Sequence, residues 1–152
     1  MIVVLDSGVL GSITSPHPKS SQVKAIILWA AQLRQAGHTF AIPAIADYET
    51  RRELVRQGAT KSVAAHDAFC QAPANIYLPI SGTVLRRATD LWAHARNTGK
   101  PTASDAALDG DVILCAHVLE TGYTTGTYRV ATTNTKHLNL FVDADEWQNI
   151  AP

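Results

Sequence analysis

Ile2-Val3-Val4-Leu5-Asp6-Ser7-Gly8 is a short apolar, β-branched run that stops abruptly at an acid, a hydroxyl and a glycine. A strand buried on both faces has this composition, and a central parallel strand ends this way. The segment that follows, with Pro16 and Pro18, reads as a loop. From about Ser20 to Gln35, Val23, Ile26, Ile27, Ala30 and Leu33 share one helical stripe, closed by Gly37. Thr39 to Ile42 reads as a second strand, and Pro43 is placed to open a helix that carries Ile45, Tyr48, Glu49 and Arg52 and ends near Gly58. A further helix runs from about Thr60 to Cys70, and Ile76 to Pro79 is a third strand.

Thr83 to Arg96 returns to helical spacing through Val84, Leu85, Ala88, Leu91, Trp92 and Ala95, and Asn97 to Pro101 breaks it. A helix starting at Asp105 or Asp109 turns Val112, Ile113, Ala116 and Leu119 inward and stops at Gly122. Gly122 to Thr127 is a polar loop, and Arg129 to Thr132 is a strand running into Thr133-Asn134. Strands alternating with helices imply an α/β fold, a mainly parallel central sheet with helices on both faces. With 152 residues, no internal repeat and no low-complexity tail, residues 1–152 are read as a single domain.

The chain starts without a basic leader, and nowhere do about 18 apolar residues follow one another, so a soluble, cytoplasmic protein is expected. Cys70 and Cys115 sit in apolar, helix-like settings without CxxC spacing and read as small buried hydrophobes. The 13 Lys and Arg balance 13 Asp and Glu, which argues against a strongly basic nucleic-acid binder. If Asp6, Glu49, Asp109 and Asp111 are set aside at a metal, however, nine acids face 13 bases and the remaining surface is +4. Attraction to a polyanion is then permitted.

In an open parallel sheet, sites form beyond the carboxyl ends of the strands. Asp6 and Asn134 each follow a strand, Glu49 lies early on a helix after another, and Asp111 lies near a helix start, so all four can open onto one edge. An oxygen-rich set without His or Cys suits a hard cation, Mg²⁺ or Mn²⁺, which keeps waters and takes substrate phosphate into its shell. Such an ion neutralises the mutual repulsion of the acids and activates water, and two ions about 4 Å apart can serve both the attacking and the leaving oxygen. Phosphodiester hydrolysis follows from that chemistry.

Each residue also has a plainer reading. Asp6 can be a turn or helix N-cap, Glu49 can pair with Arg52 or share a solvated face with Glu53, and Asn134 can be a turn residue. Asp109 and Asp111, two apart, point to opposite sides if both are helical, so one is a ligand and the other a cap. Ser7 lacks a GxSxG elbow; its hydroxyl supports Asp6 or a bound phosphate, and Thr133 is a similar candidate beside Asn134. The six histidines, without HxxxH spacing or a marked carboxylate neighbour, read as structural or surface groups. A haloacid-dehalogenase-like phosphatase needs an Asp two residues after the first, where Gly8 stands, and a phospho-receiver needs an early acidic pair and a late Lys after a strand.

Taken in order, Leu5-Asp6-Ser7-Gly8-Val9-Leu10, Tyr48-Glu49-Thr50-Arg51-Arg52-Glu53-Leu54, Leu108-Asp109-Gly110-Asp111-Val112-Ile113-Leu114 and Val130-Ala131-Thr132-Thr133-Asn134 resemble the PIN-domain family, especially the VapC-type toxins of toxin–antitoxin pairs. The resemblance spans nearly the whole chain and implies a three-layer α/β/α domain. It implies Asp6, Glu49 and Asp111 as catalytic metal ligands, with Asp109 a nearby acid and Asn134 at a fourth position where members commonly carry Asp. It further implies Mg²⁺-dependent cleavage of RNA, an antitoxin partner and a homodimer formed through helices. Arg51, Arg52 and Arg56, with Lys61 nearby, are candidates for holding an RNA backbone or the acidic tail of an antitoxin, or are a solvated helix face. A non-catalytic RNA- or protein-binding module of the same fold is the alternative that Asn134 and the zero net charge favour.

Overall fold

A computed structural model describes residues 1–104 and 107–152. In chain order the elements are β1 (Ile2–Leu5), α1 (Ser7–Ile13), α2 (Ser21–Gln35), β2 (Thr39–Pro43), α3 (Ala44–Arg56), α4 (Thr60–Cys70), β3 (Asn75–Leu78), α5 (Gly82–Asn97), α6 (Gly110–Glu120), β4 (Tyr128–Thr132) and β5 (Ala144–Glu146). The five strands form one parallel sheet in the order β3-β2-β1-β4-β5. β1 is the central strand, as its composition predicts, with Ile2 in register with Thr39 on one side and Tyr128 on the other.

Successive residues of a strand face opposite sides of the sheet, and β1 serves both layers. Val3 and Leu5 pack with Val9 and Leu10 of α1 and with Ile26, Trp29 and Leu33 of α2. Val4 packs on the other face with Val84 and Ala88 of α5 and with α6. The result is the three-layer α/β/α architecture. From Val112 to Val118 every residue of α6 is buried, so this helix is apolar all round because it has no solvent face to speak of. Asp105, one of its two possible starts, lies outside the described residues; the helix begins after Asp109, its N-cap.

Two elements differ from the sequence expectation. Residues 7–13 form α1 rather than a loop: Asp6 caps it by accepting a hydrogen bond from Ser7 N, and packing supplies what Gly8, Gly11 and two serines lack in helix propensity. A Cβ at Gly11 would stand 3.4 Å from Thr50 Cγ2, so the small residue lets α1 cross closely over α3. β5 was not expected, because Ala-Asp-Glu carries only one buried residue, Ala144, and shows no alternation. Leu85 and Leu119, placed inward by spacing, are 48% and 38% exposed, while Leu114, Cys115 and Val118 fill the core instead.

Candidate metal cleft at the carboxyl edge of the sheet

Asp6 leaves the end of β1 directly into α1. Its Oδ1 accepts from Ser7 N at 2.6 Å and its Oδ2 accepts from Thr132 Oγ1 at 2.7 Å, so the carboxylate is oriented by its own helix and by the neighbouring strand. It is thus both a cap and a member of the cleft. Burial pushes its carboxyl above the ordinary value, and the Asp111 charge adds to this against the hydrogen bonds from Thr132 and Ser7. Burial likewise raises Glu49; the Ser7 hydroxyl and Arg52 oppose the rise, and the charges of Asp6 and Asp111 increase it. Asp6, Glu49 and Asp111 therefore lie close enough to feel one another.

Glu49 lies one and a half turns into α3 and rests against the start of α6: a Cβ at Gly110 would overlap its Oε1 and come within 3.0 Å of its Cδ. Gly110→Ala is accordingly expected to displace Glu49 from the cleft while leaving the fold intact, since Ala favours a helix over Gly by about 1 kcal/mol and the obstructing atom ends a flexible side chain. Circular dichroism should show an unchanged or higher melting temperature, with divalent-cation affinity reduced in calorimetry; unchanged affinity would show that Glu49 finds an equivalent position.

Asp111 stands in the first turn of α6 and Asp109 just before it, and the two do separate in role. Asp109 is buried, caps α6 through Val112 N at 3.3 Å and accepts from Thr102 Oγ1. Asp111 is half-exposed, and its Oδ2 lies 2.9 Å from His137 Nδ1. Histidines were expected to lack carboxylate partners; His137 and His66 both have one, the latter pairing with Asp47 Oδ1 at 2.7 Å. Their partners lie 26 and 19 residues away, which sequence spacing does not reveal.

Asn134 follows β4, but its Oδ1 accepts from Lys136 N at 3.2 Å and so closes its own turn. Thr133 is exposed, its Oγ1 3.2 Å from where a Cβ on Gly8 would sit, so it packs over the start of α1. Among the helix α3 cations, Arg51 is engaged by Asp47 and Asp67, and Arg56 by Glu53 Oε2 at 2.8 Å. Arg52, stacked 5.3 Å over the Tyr48 ring, is the one whose charge acts on Glu49.

Among the described residues, the set of His, Cys, Asp or Glu ligand atoms that all lie within 4.8 Å of one another is Asp47 of α3 with His66 and Cys70 of α4, not the Asp6, Glu49 and Asp111 set. The Asp6, Glu49 and Asp111 oxygens are more widely spread. Their all-oxygen donor set fits a hard divalent cation, whose charge would offset the burial, and to a lesser degree the neighbouring carboxylates, that raise the proton affinity of Asp6 and Glu49.

Comparison with known proteins adds fold but not sequence kinship. No family model and no curated protein matches the sequence. Among solved structures, VapBC2 from Rickettsia felis, bound to a DNA fragment from its promoter, matches with a TM-score of 0.69 and 15% identity over 97% of this chain and 99% of that one. FitAcB from Neisseria gonorrhoeae matches with a TM-score of 0.67 and 18% identity over 97% and 99%. VapC20 of Mycobacterium tuberculosis, described as a sarcin-ricin loop cleaving toxin, matches with a TM-score of 0.59 and 13% identity over 93% and 97%. The chain has the three-layer α/β/α PIN-like fold of the VapC-type toxins.

Proposed function

We propose that the chain is a Mg²⁺-dependent endoribonuclease, the toxin of a type II toxin–antitoxin pair. The observation that carries this reading is the gathering of Asp6, Glu49 and Asp111, from three separate elements, at the carboxyl edge of a parallel sheet. Asp6, Glu49 and Asp111 would hold the ion, with Mn²⁺ an alternative. When bound, the ion supplies charge neutralisation at the scissile phosphate and activation of water at neutral pH. Asp6 arrives pre-oriented by Ser7 and Thr132, Glu49 is set by the glycine at position 110, and Asp111 is steadied by His137. Protons compete with the ion at Asp6 and Glu49, so activity falls on acidification.

Lys100, Lys136 and His137 line a cavity of about 400 Å³ that adjoins Asp111 through His137. Positive charge there suits the phosphates flanking a cleaved bond. Arg52 is the arginine of α3 best placed to meet either substrate or the acidic segment of an antitoxin. Solved relatives of the fold include VapBC assemblies, which supports an antitoxin partner. A homodimer through helices completes the proposal, and light scattering on a size-exclusion column checks it.

Purified protein incubated with structured RNA and Mg²⁺ tests the activity. Cleavage is expected from the parent and its loss from Asp6→Asn, Asp111→Asn and EDTA-treated samples; equal cleavage by all would trace it to a contaminant. A second reading, a binding module without catalysis, is favoured by Asn134, whose carbonyl oxygen is committed to Lys136 N. RNA binding indifferent to EDTA, together with no Mn²⁺ heat in calorimetry, would select it.

A further inference from the structure

His66 is fully buried on α4, and each of its ring nitrogens meets a polar atom. Nδ1 lies 3.3 Å from Thr14 Oγ1, and that hydroxyl makes a shorter, 3.0 Å hydrogen bond to Leu10 O. A hydroxyl has one proton to give. With it given to Leu10, Thr14 can only accept from His66, so Nδ1 carries the ring proton and the Nε2 lone pair faces outward. What it faces is Asp47 Oδ1 at 2.7 Å and Cys70 Sγ at 3.5 Å. Two acceptors and a thiol thus converge on one point, an arrangement that either a proton on Nε2 or a cation between them would satisfy.

We propose that Asp47, His66 and Cys70 form a second, softer metal site that takes Zn²⁺ or a similar borderline divalent cation. Nitrogen, thiolate and carboxylate together are the donors of such ions, in contrast to the all-oxygen set of Asp6, Glu49 and Asp111. His66 and Cys70 stand four apart on α4 and so share a helix face, and Asp47 comes across from α3. Tetrahedral zinc bonds place nitrogen and sulfur ligands about 3.5 Å apart, the separation already present. The Asp47–His66 pair would open by about 0.6 Å to reach the matching nitrogen–oxygen spacing.

The surroundings are those of a prepared site. His66 Nδ1–H to Thr14 would hold the tautomer that metal binding needs, and Tyr77 O–H donates to Asp47 Oδ2 at 2.8 Å, leaving Oδ1 for the ion. Arg51 keeps Asp67 as its carboxylate when Asp47 Oδ1 turns to the metal. A cavity of about 390 Å³, lined by Asp47, Cys70, Asn75 and Tyr77 among others, opens beside the ligands and leaves room for water at the fourth position. On binding, the Cys70 thiol proton and any proton shared by Asp47 and His66 pass to solvent, and one carboxylate plus one thiolate balance the charge of the ion. The site would tie α4 to the helix that carries Glu49.

The alternative without metal turns the Thr14 hydroxyl toward Nδ1, so that Nε2–H donates to Asp47 and the cluster is a buried hydrogen-bond hub. Tag-free full-length protein distinguishes them. The proposal expects about one equivalent of zinc per chain after purification. It expects, in the Co²⁺-substituted protein, a near-ultraviolet thiolate-to-cobalt absorption that Cys70→Ser abolishes, Cys115→Ser retains and excess Mg²⁺ does not displace. The absence of that band from the parent, or its persistence in Cys70→Ser, overturns the proposal. A measurement on the parent alone guards against a misfolded variant: Zn²⁺, but not Mg²⁺, should slow alkylation of Cys70 mapped by mass spectrometry, and equal rates with and without zinc refute the site. Neither readout depends on ribonuclease activity.

Discussion

Asp6→Asn is expected to lose RNA cleavage by about 100-fold or more, the scale of several kcal/mol of lost metal-borne stabilisation, and yet to melt at a higher temperature than the parent when no divalent cation is present. Asn keeps the local structure, since its side-chain oxygen can still cap α1 through Ser7 N, and the Thr132 hydroxyl can turn to Asn134 O, already 3.3 Å away. What disappears is a carboxylate held above its ordinary proton affinity by burial and by Asp111. A carboxyl whose folded value is raised favours folding fully below its unfolded value, and that contribution is lost as pH rises through the folded value. At neutral pH the parent therefore carries a penalty that the Asn variant lacks. Mg²⁺ should raise the melting temperature of the parent and leave that of the variant unmoved. A variant that melts lower than the metal-free parent, or responds equally to Mg²⁺, would show that Asp6 acts as a cap alone.

The second large effect is acid sensitivity centred on His117 of α6. This residue lies in the buried stretch of α6, 2% exposed, and its Nε2 has no hydrogen-bond partner among the described residues. Burial pushes the ring down to about 4 from an ordinary 6.5. The folded state keeps it neutral while the unfolded chain takes up a proton below about 6.5, so stability falls as pH drops from there and levels off below about 4, a total of about 3 kcal/mol. That is a large part of the 5–15 kcal/mol typical of a domain. Urea midpoints at pH 7 and 4.5 check it: His117→Leu should lose about 2 to 3 kcal/mol less than the parent between those values. Equal losses would assign the acid sensitivity to other groups.

Reading β1 as a central strand was possible because Ile2 to Leu5 must satisfy two apolar layers at once, and a sequence under two constraints is conspicuous. The same logic made β2, β4 and the helix following Asp109 visible. α1 was hidden because its stability is tertiary: glycines and serines signal a loop, and only the crossing over Thr50 rewards them for being small. β5 was hidden because a short edge strand is specified by its neighbour's hydrogen bonds more than by its own side chains. At the candidate site, the acids could be suspected one by one from their places at strand and helix ends. Their supports could not, because Thr132 reaches Asp6 from 126 positions away and His137 reaches Asp111 across a strand and a loop. Asp47, His66 and Cys70 carried a faint signal, a His and a Cys four apart on a helix, which lacked meaning until α3 brought a carboxylate to them.

The placement of β1 between β2 and β4 has a bearing on the order in which the cleft is assembled. During synthesis β1 precedes β2 by about 35 residues and can pair with it early, but its other flank waits for residues 128–132, and Asp6 lacks its hydrogen bond from Thr132 until then. Residue 150 is later still: Ile150 O receives the indole N–H of Trp29 at 2.8 Å, fastening this segment against α2. A nascent chain is thus without an assembled cleft until residue 132 has been made. The carboxylate of Asp6 is made 126 residues before the hydroxyl that orients it, and through that interval the edge of the sheet has its first acid without the arrangement around it.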